Sequence, residues 1–214
     1  MAKDVFVSVG TGLSPSQETF VVAVEERLRA IGLNPRTIGR NTFSADAPLH
    51  AISDLMDECR GAVVIALERF RFPSGEERPE SAKQRQLADV RMPTSWNQIE
   101  AAMAYSRGLP LLVIVDEGVR ADGLLEKGND WYVQDLPVDA NALNTTAFTG
   151  ILESWSSRLD SAPNPRASKS QPPDPASMSV GQLLAALKPA QLWTSLGALA
   201  AALGVAFAIG ANVI

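Results

Sequence analysis

A single glutamate, Glu100, is the side chain of this sequence whose type and setting best suit catalysis. It follows Thr94-Ser-Trp-Asn-Gln-Ile, a segment in which a helix is predicted to begin next to a loop. A carboxylate beside a pocket can stabilise the oxocarbenium-like transition state formed when a ribose–base bond breaks, or attack the anomeric carbon as a nucleophile. On spacing alone, an ordinary solvated helix residue is the alternative.

The neighbours of Glu100 have mostly structural explanations. Ser95 and Gln98 fit the N-cap of the helix and its capping partner, and Trp96 is expected to face the core. Asn97 and Glu100 are then left without a structural task, so both are candidate site residues. Trp96 is also a candidate, as a support for the site rather than a platform on which a base stacks.

A glycine-containing loop follows the first predicted strand and precedes a helix. Gly10, Thr11 and Gly12 resemble the start of a dinucleotide-binding fingerprint without its third glycine, and a tight turn explains them about as well. Free backbone N–H groups at the start of the helix suit a phosphate or a ribose. Ser8 and these three residues are therefore predicted to hold ribose or phosphate, and Glu68, after another strand, is expected at the same pocket.

Three further polar side chains are weaker candidates. Asp116 follows a later strand and could add a carboxylate to the same pocket, although a solvated loop explains it better. His50 is interpreted as a surface or capping residue, since a lone His specifies no triad, and Cys59 as a small core residue. With one Cys and one His in the chain, a disulfide framework and a multi-Cys or multi-His metal site are excluded, and no metal is predicted.

Strand-like and helix-like patterns alternate through the first 160 residues. The predicted strands are Asp4–Val9, Asn34–Ile38, Ala62–Leu67, Leu111–Val115 and a weaker Trp131–Gln134. The predicted helices are Pro15–Ala30, with a capping box from Ser14 and Gln17, then Pro48–Glu58, Ser95–Arg107 with Trp96, Ile99 and Met103 inward, and Ala142–Leu159. The alternation predicts an α/β fold with an open, mostly parallel, flavodoxin-like sheet flanked by helices.

Ligands of such sheets bind beyond the carboxyl ends of the strands, where the three segments that contain Ser8, Glu68 and Glu100 should meet. Between the last two lies a long polar insertion, residues 69–93. It is interpreted as a mobile flap over the pocket or a surface for a partner.

The charge of the chain argues against binding to polymeric nucleic acid. The 214 residues carry a formal net charge of −5, and residues 1–160 carry −7, from 16 Lys and Arg against 23 Asp and Glu. Duplex binding needs a basic face that neutralises phosphates, and none is visible. One small nucleotide can still be held by backbone N–H groups.

The composition changes near residue 160. Residues 161–179 are rich in Pro and Ser, which predicts an extended linker. Residues 180–189 place Val180, Leu183, Leu184 and Leu187 at helical spacing, which indicates an amphipathic segment beside a membrane. Residues 190–214 have no charged side chain and are long enough to cross a bilayer as one helix, with a buried core or dimerisation helix as the alternative.

The charges beside this apolar segment predict its orientation. Arg166, Lys169 and Lys188 all precede it, so the N-terminal domain is expected on the cytoplasmic side of an inner-membrane, single-pass protein. The start of the chain shows no signal-peptide pattern, in keeping with that location. Pairs of small residues such as Gly197 and Ala201 favour helix association in the lipid bilayer, so a homo-oligomer is expected.

Three segments resemble a known superfamily. Lys3-Asp-Val-Phe-Val-Ser8 looks like the first-strand motif of Toll/interleukin-1 receptor (TIR) domains, and Ile52–Leu67 is similar to their second helix and following strand. Ser95-Trp-Asn-x-x-Glu100 resembles their S-x-W-C-x-x-E element. The run from Glu100 to Pro110 also resembles the nucleoside 2-deoxyribosyltransferases, which place a glutamate at the start of the corresponding helix.

The resemblance covers roughly residues 3–135 and implies a TIR-like or deoxyribosyltransferase-like nucleotide-binding domain in residues 1–160. In enzymatic members of both families, the glutamate that matches Glu100 is the catalytic residue, acting on the N-glycosidic bond of NAD or of deoxynucleosides. The implied ligand is therefore NAD or a related nucleotide, as substrate or signal, with no separate cofactor.

Three functions remain open at this point. The chain could cleave the N-glycosidic bond of NAD or a related nucleotide, or it could sense a nucleotide without cleaving it and oligomerise so that its C-terminal helices disrupt the membrane. It could also be a TIR-type adaptor without catalysis. For the first two, the resemblance implies a role in bacterial anti-phage defence.

Overall fold

The computed structural model of the protein describes residues 2–161. In chain order the elements are β1 (Lys3–Val9), α1 (Pro15–Ala30), β2 (Leu33–Arg36), α2 (Pro48–Glu58), β3 (Ala62–Ala66), β4 (Phe70–Glu77), β5 (Arg85–Met92), α3 (Ser95–Ser106), β6 (Leu111–Asp116), β7 (Tyr132–Leu136) and α4 (Thr146–Ser157). Two short 3-10 turns, Gly123–Leu125 and Ala140–Asn144, precede β7 and α4.

A five-stranded sheet forms the centre of this domain. Its strands lie in the order β2-β1-β3-β6-β7, and each adjacent pair is parallel. Counting only the strands of this sheet, the order is 2-1-3-4-5, which is typical of flavodoxin-like doubly wound folds. The predicted α/β class with a mostly parallel sheet is therefore confirmed.

Helices cover both faces of the sheet because successive strand side chains point to opposite sides. Val5, Val7 and Ile65 face a core shared with α1 and α4, which is completed by Phe20 and Phe148. The alternate positions of the same strands face the second core, shared with α2 and α3; they include Phe6, Ala62, Val64, Val113 and Val115. β3 and β6 are buried along both faces, as their continuous apolar sequences predict.

Helix α1 starts where its capping residues predict. The Ser14 hydroxyl accepts a hydrogen bond from the Gln17 backbone N–H at 3.3 Å, and the Gln17 side chain accepts one from the Ser14 N–H at 2.9 Å. Pro15 occupies the first helical position, where a missing N–H costs nothing. The predicted capping box is confirmed.

Other element boundaries differ from the prediction. The N-cap of α3 is Thr94, whose hydroxyl accepts a hydrogen bond from the Trp96 N–H, so the prediction of Ser95 was wrong. The Gln98 side chain bonds the 3-10 turn at Leu124 instead of a cap. The last predicted helix is divided, because Thr145 caps a new helix after the turn at Ala140–Asn144.

The polar insertion contains an antiparallel β-hairpin, β4 paired with β5, outside the central sheet. Its strands were missed because none of their side chains is fully buried. Ion pairs join Glu77 to Arg85 across the hairpin at 2.8 Å and to Arg120, after β6, at 2.9 Å. The Arg120 N–H also donates to the Arg91 carbonyl, so the hairpin is attached to the loop that follows β6.

Within residues 2–161, no helix combines the length and the apolar character needed to cross a membrane. The predicted linker (161–179), amphipathic segment (180–189) and transmembrane helix (190–214) lie outside the described residues, apart from residue 161, and stay predictions.

Candidate functional site

The candidate site lies where the sheet changes the direction of its connections. From β1 the chain proceeds to β2 on one side, whereas after β3 it proceeds to β6 on the other. Such a switch point, at the carboxyl ends of the strands, is the usual ligand site of an open α/β sheet. Ser8 lies near this end of β1, in register with Val64 of β3, and Glu68 is the second residue after β3.

Helix α3 turns its polar residues toward the sheet. Asn97 and Glu100 are buried, with 1% and 9% of their surfaces exposed, whereas Trp96 and Ile99 are 42% and 41% exposed. The prediction that Trp96 and Ile99 face the core was therefore wrong, and so was the alternative of Glu100 as a solvated residue. Ser8 explains this orientation, because its buried hydroxyl requires a polar partner from the helix above it.

Asn97 supplies that partner. Its amide nitrogen donates a hydrogen bond to the Ser8 hydroxyl oxygen at 2.9 Å and lies 3.5 Å from the Ile65 carbonyl oxygen. Ala101 and Ala104 complete the buried face of α3, and their small side chains allow the helix to lie close to the sheet. The Asn97 side-chain oxygen is buried without a hydrogen-bond partner.

Burial changes the acidity of Glu100. Loss of solvation raises the pKa of its carboxyl from 4.5 to about 7, and a hydrogen bond with Ser8 opposes that rise. Because Asn97 donates to the Ser8 oxygen, the Ser8 hydroxyl is free to donate its proton to Glu100. The result is a carboxyl group that titrates near neutral pH in a poorly solvated site, where its charge acts strongly on a nearby cation.

The glycine loop after β1 borders a cavity of about 170 Å³. Gly10, Thr11 and Gly12 form one wall, and Gly12 has a φ of +70°, a conformation that glycine adopts without strain. The Arg69 guanidinium donates a hydrogen bond to the Thr11 carbonyl oxygen. The loop is thus held by the first residue of the insertion, next to the strand that carries Ser8.

Glu68 and Asp116 meet at a second, more open cavity of about 600 Å³ at the same edge of the sheet. Arg71 binds both oxygens of Glu68, at 2.8 and 2.7 Å, and this hydrogen bonding lowers the pKa of the Glu68 carboxyl. Burial raises the pKa of Asp116. Glu100 lines neither this cavity nor the one beside the glycine loop, so Glu68 belongs to a neighbouring pocket.

The remaining candidates lie apart from this cluster. His50 is exposed in the first turn of α2. Cys59 is buried, and loss of solvation raises the pKa of its thiol to about 12, so it is not a thiolate nucleophile at neutral pH. Within residues 2–161, no three His, Cys, Asp or Glu side chains are grouped so as to hold a metal ion.

Sequence reasoning missed the other wall of the cavity beside the glycine loop. It consists of Thr37, Ile38, Gly39 and Arg40, which follow β2, together with Glu18 of α1. The signal was available, because Thr37 to Arg40 stand at the carboxyl end of a strand adjacent to β1.

No protein-family model and no curated protein matches the sequence. Among solved structures, the Clostridium botulinum CMP N-glycosidase BcmB is similar at 14% identity and a TM-score of 0.34, over 54% of this chain and 70% of that one. TIR domains of the activated Roq1 resistosome, which directly recognises the pathogen effector XopQ, are similar at 15% identity and a TM-score of 0.35, over 84% of this chain and 92% of that one. The α/β architecture described above rests on strand order and connectivity rather than on these similarities.

Proposed function

We propose that the protein is a TIR-like enzyme that cleaves the N-glycosidic bond of NAD or a related nucleotide, with Glu100 as the catalytic residue. The observation that carries the proposal is the setting of Glu100: a buried carboxyl at the switch point of the sheet, whose pKa is raised to about 7. A carboxylate poised near neutral pH suits a group that changes its proton or charge interactions during catalysis.

Cleavage of NAD needs only one carboxylate, because the base is a positively charged pyridinium while it is bonded to the ribose. The bond between the ribose C1′ and the pyridinium nitrogen breaks, its electron pair goes to the nitrogen, and neutral nicotinamide leaves without a proton donor. The Glu100 carboxylate stabilises the ribosyl cation. A water oxygen then bonds to C1′ and passes its proton to Glu100, which gives ADP-ribose. In the alternative route Glu100 bonds to C1′ first, and water hydrolyses the resulting ester.

The other proposed site residues bind and position. Ser8 orients the Glu100 carboxyl, and Asn97 orients Ser8, so both are positioning residues. The backbone N–H groups of Gly10, Thr11 and Gly12 are proposed to hold phosphate or ribose. Trp96, exposed in the first turn of α3, and Glu68, at the neighbouring cavity, are proposed to contact the ligand from its sides.

Chromatography of NAD and of a panel of nucleotides after incubation with the full chain tests this function. We expect release of nicotinamide or free base, reduced at least about a hundredfold by Glu100→Gln. Glu153→Gln is the matched control, because Glu153 is exposed on α4. Intact nucleotides with a folded wild-type chain, or equal rates for wild type and Glu100→Gln, would exclude catalysis by Glu100.

A nucleotide sensor is the second candidate, and one observation favours it. Glu100 is 9% exposed and lines neither of the two cavities at this edge, which suits a pocket that binds without cleaving. Calorimetric titration with NAD separates the candidates, since a sensor binds NAD and leaves it intact. Nucleotide-dependent leakage of liposomes that carry the full chain would then support the membrane-disrupting mechanism.

Attachment to the inner membrane, self-association through the C-terminal helix and a role in anti-phage defence are further parts of the proposal, and they depend on residues beyond 161. Deletion of residues 180–214 should move the protein from the membrane to the soluble fraction of a cell lysate. It should also remove protection in a phage-infection assay. A deletion variant that stays in the membrane fraction would exclude this anchor.

A further inference from the structure

One wall of the cavity beside the glycine loop has no role in the chemistry proposed at Glu100. The loop after β1 forms one side, and residues 37–40, which follow β2, form the other. Much of the lining is backbone, since Gly10, Gly12 and Gly39 contribute no side chain. A ligand in this cavity would therefore contact main-chain N–H and C=O groups directly, only two residues along the chain from Ser8.

Thr37 lines this cavity, and its hydroxyl is unused. Its side chain is 4% exposed, and its hydroxyl oxygen has no hydrogen-bond partner. Its backbone groups are occupied, because the Thr37 N–H donates to the Asn41 side-chain oxygen at 2.8 Å and its carbonyl accepts from the Thr42 N–H at 3.0 Å. Buried hydroxyls are rarely left unpaired, so a bound group is the natural partner for this one.

The charges at the rim argue against an anion in this cavity. Arg40 is already neutralised, since its guanidinium binds both oxygens of Glu18, at 2.6 and 3.0 Å, and one oxygen of Glu25, at 2.7 Å. Arg29 binds the other Glu25 oxygen at 3.1 Å, so two guanidinium groups and two carboxylates balance and leave no free positive charge for an anion. A carboxylate has more lone pairs than these bonds use, so Glu18 can still accept from hydroxyl groups. The cavity therefore suits a neutral group rich in hydroxyls.

We propose that this cavity binds the second ribose of a dinucleotide, through the Thr37 hydroxyl and the Glu18 carboxylate. This inference rests on the proposed function, which places the first ribose beside Glu100. The glycine loop follows Ser8 in the chain and lines the cavity, so its backbone N–H groups would hold the phosphates that join the two ribose rings. The ligand class is thereby narrowed to dinucleotides, in preference to mononucleotides that share the same scissile bond.

Two substrates of the full chain test the second-ribose cavity. NAD and nicotinamide mononucleotide contain the same nicotinamide–ribose bond, but only NAD has a second ribose. Thr37→Val, which removes the hydroxyl at nearly constant volume, should raise the KM for NAD about three- to tenfold and leave its kcat unchanged. The KM for the mononucleotide should not change. Thr37→Ser should restore the KM for NAD, and Thr19→Val on the exposed side of α1 is the control.

Calorimetric titration of the full chain with AMP gives a second measurement that does not depend on cleavage. Thr37→Val should weaken AMP binding by the same factor, and 2′- or 3′-deoxy-AMP should bind the wild type more weakly than AMP does. Cleavage of NAD and the mononucleotide with equal KM, unaffected by Thr37→Val, would overturn the second-ribose cavity while the proposed function stands. Thr37-dependent binding of AMP without any cleavage would overturn the proposed function while the second-ribose cavity stands. If the full chain neither cleaves NAD nor binds AMP, both proposals are overturned.

Discussion

The Asn97 amide nitrogen lies 2.9 Å from the Ser8 hydroxyl oxygen, a contact between residues 89 positions apart in the chain. It joins the helix that carries Glu100 to the strand at the centre of the switch point. Because Asn97 can only donate from that nitrogen, the Ser8 oxygen accepts and its proton is directed to Glu100. One hydrogen bond between two elements thus determines how the candidate catalytic carboxyl is held.

Removal of the Ser8 hydroxyl should raise the pKa of Glu100 further. The hydrogen bond from Ser8 favours the ionised carboxylate, and burial remains when the hydroxyl is lost. For Ser8→Ala, we expect the pH profile of kcat/KM to move to higher pH, with activity at pH 6 about tenfold lower. The exposed Ser157→Ala is the control. An unchanged profile would mean that Ser8 does not act through Glu100.

The activity of the wild-type protein should rise with pH through neutrality. Only the ionised form of Glu100 stabilises a ribosyl cation, and the pKa of its carboxyl is about 7 in the free protein. The kcat/KM for NAD should therefore increase between pH 6 and 8 and reach a plateau above, since this parameter reports the groups of the free enzyme. A profile that is flat, or that falls with pH over this range, would contradict a role for the carboxylate.

The same pKa shift predicts a cost to stability at high pH. The folded protein binds the Glu100 proton more tightly than the unfolded chain does, because the pKa is about 7 in one and 4.5 in the other. Stability from this group is present below pH 4.5 and is lost as the pH rises through 7. Urea unfolding should therefore show Glu100→Gln gaining about 2 kcal/mol over the wild type between pH 5 and pH 8.

The pH dependence of this stability difference reports on Glu100 alone. The other titrating groups are present in both proteins, so their contributions to the difference cancel. A constant difference between the two free energies of unfolding, at pH 5 and pH 8, would show that Glu100 has an ordinary pKa. The proposed catalytic role would then lose its main support.

Cys59 should be unreactive in the folded protein. Its thiol is buried against α2 and β3, and loss of solvation raises its pKa to about 12. Alkylation by iodoacetamide at pH 8, followed by mass spectrometry, should label Cys59 only in denaturant. Cys59→Ala should keep the rate of nicotinamide release within about twofold of the wild type. Rapid labelling of the native protein would show that the core around Cys59, at the C-terminal end of α2, opens.

Features that depend on residues close together in the chain were predicted correctly from the sequence. The capping box of α1 and the buried strands β3 and β6 depend on a few consecutive side chains, and each was found as predicted. The face of α3 could not be predicted in this way. Trp96 is more apolar than Asn97, yet Asn97 is the buried one because it satisfies Ser8, a residue on a distant strand.

The same reasoning accounts for the missed parts of the site. Thr37 becomes a candidate only when β2 is placed beside β1, which sets the loops after both strands around one cavity. The hairpin β4–β5 was missed because its stability comes from cross-strand pairing and from ion pairs such as Glu77 with Arg120, and not from an apolar pattern.

Gly61 offers a test of the packing beneath the sheet. A Cβ built at this residue would lie 2.4 Å from Leu159 Cδ2 and 3.1 Å from Trp155 Cζ2, so an alanine there requires both side chains to shift. We expect Gly61→Ala to lower the free energy of unfolding by about 1–3 kcal/mol, measured by urea unfolding. Gly75→Ala is the matched control, because a Cβ on that hairpin residue meets no atom within 4 Å and should change stability by no more than about 0.5 kcal/mol. Equal stability of Gly61→Ala and the wild type would show that Leu159 repacks freely, and that its close approach to Gly61 is not needed for stability.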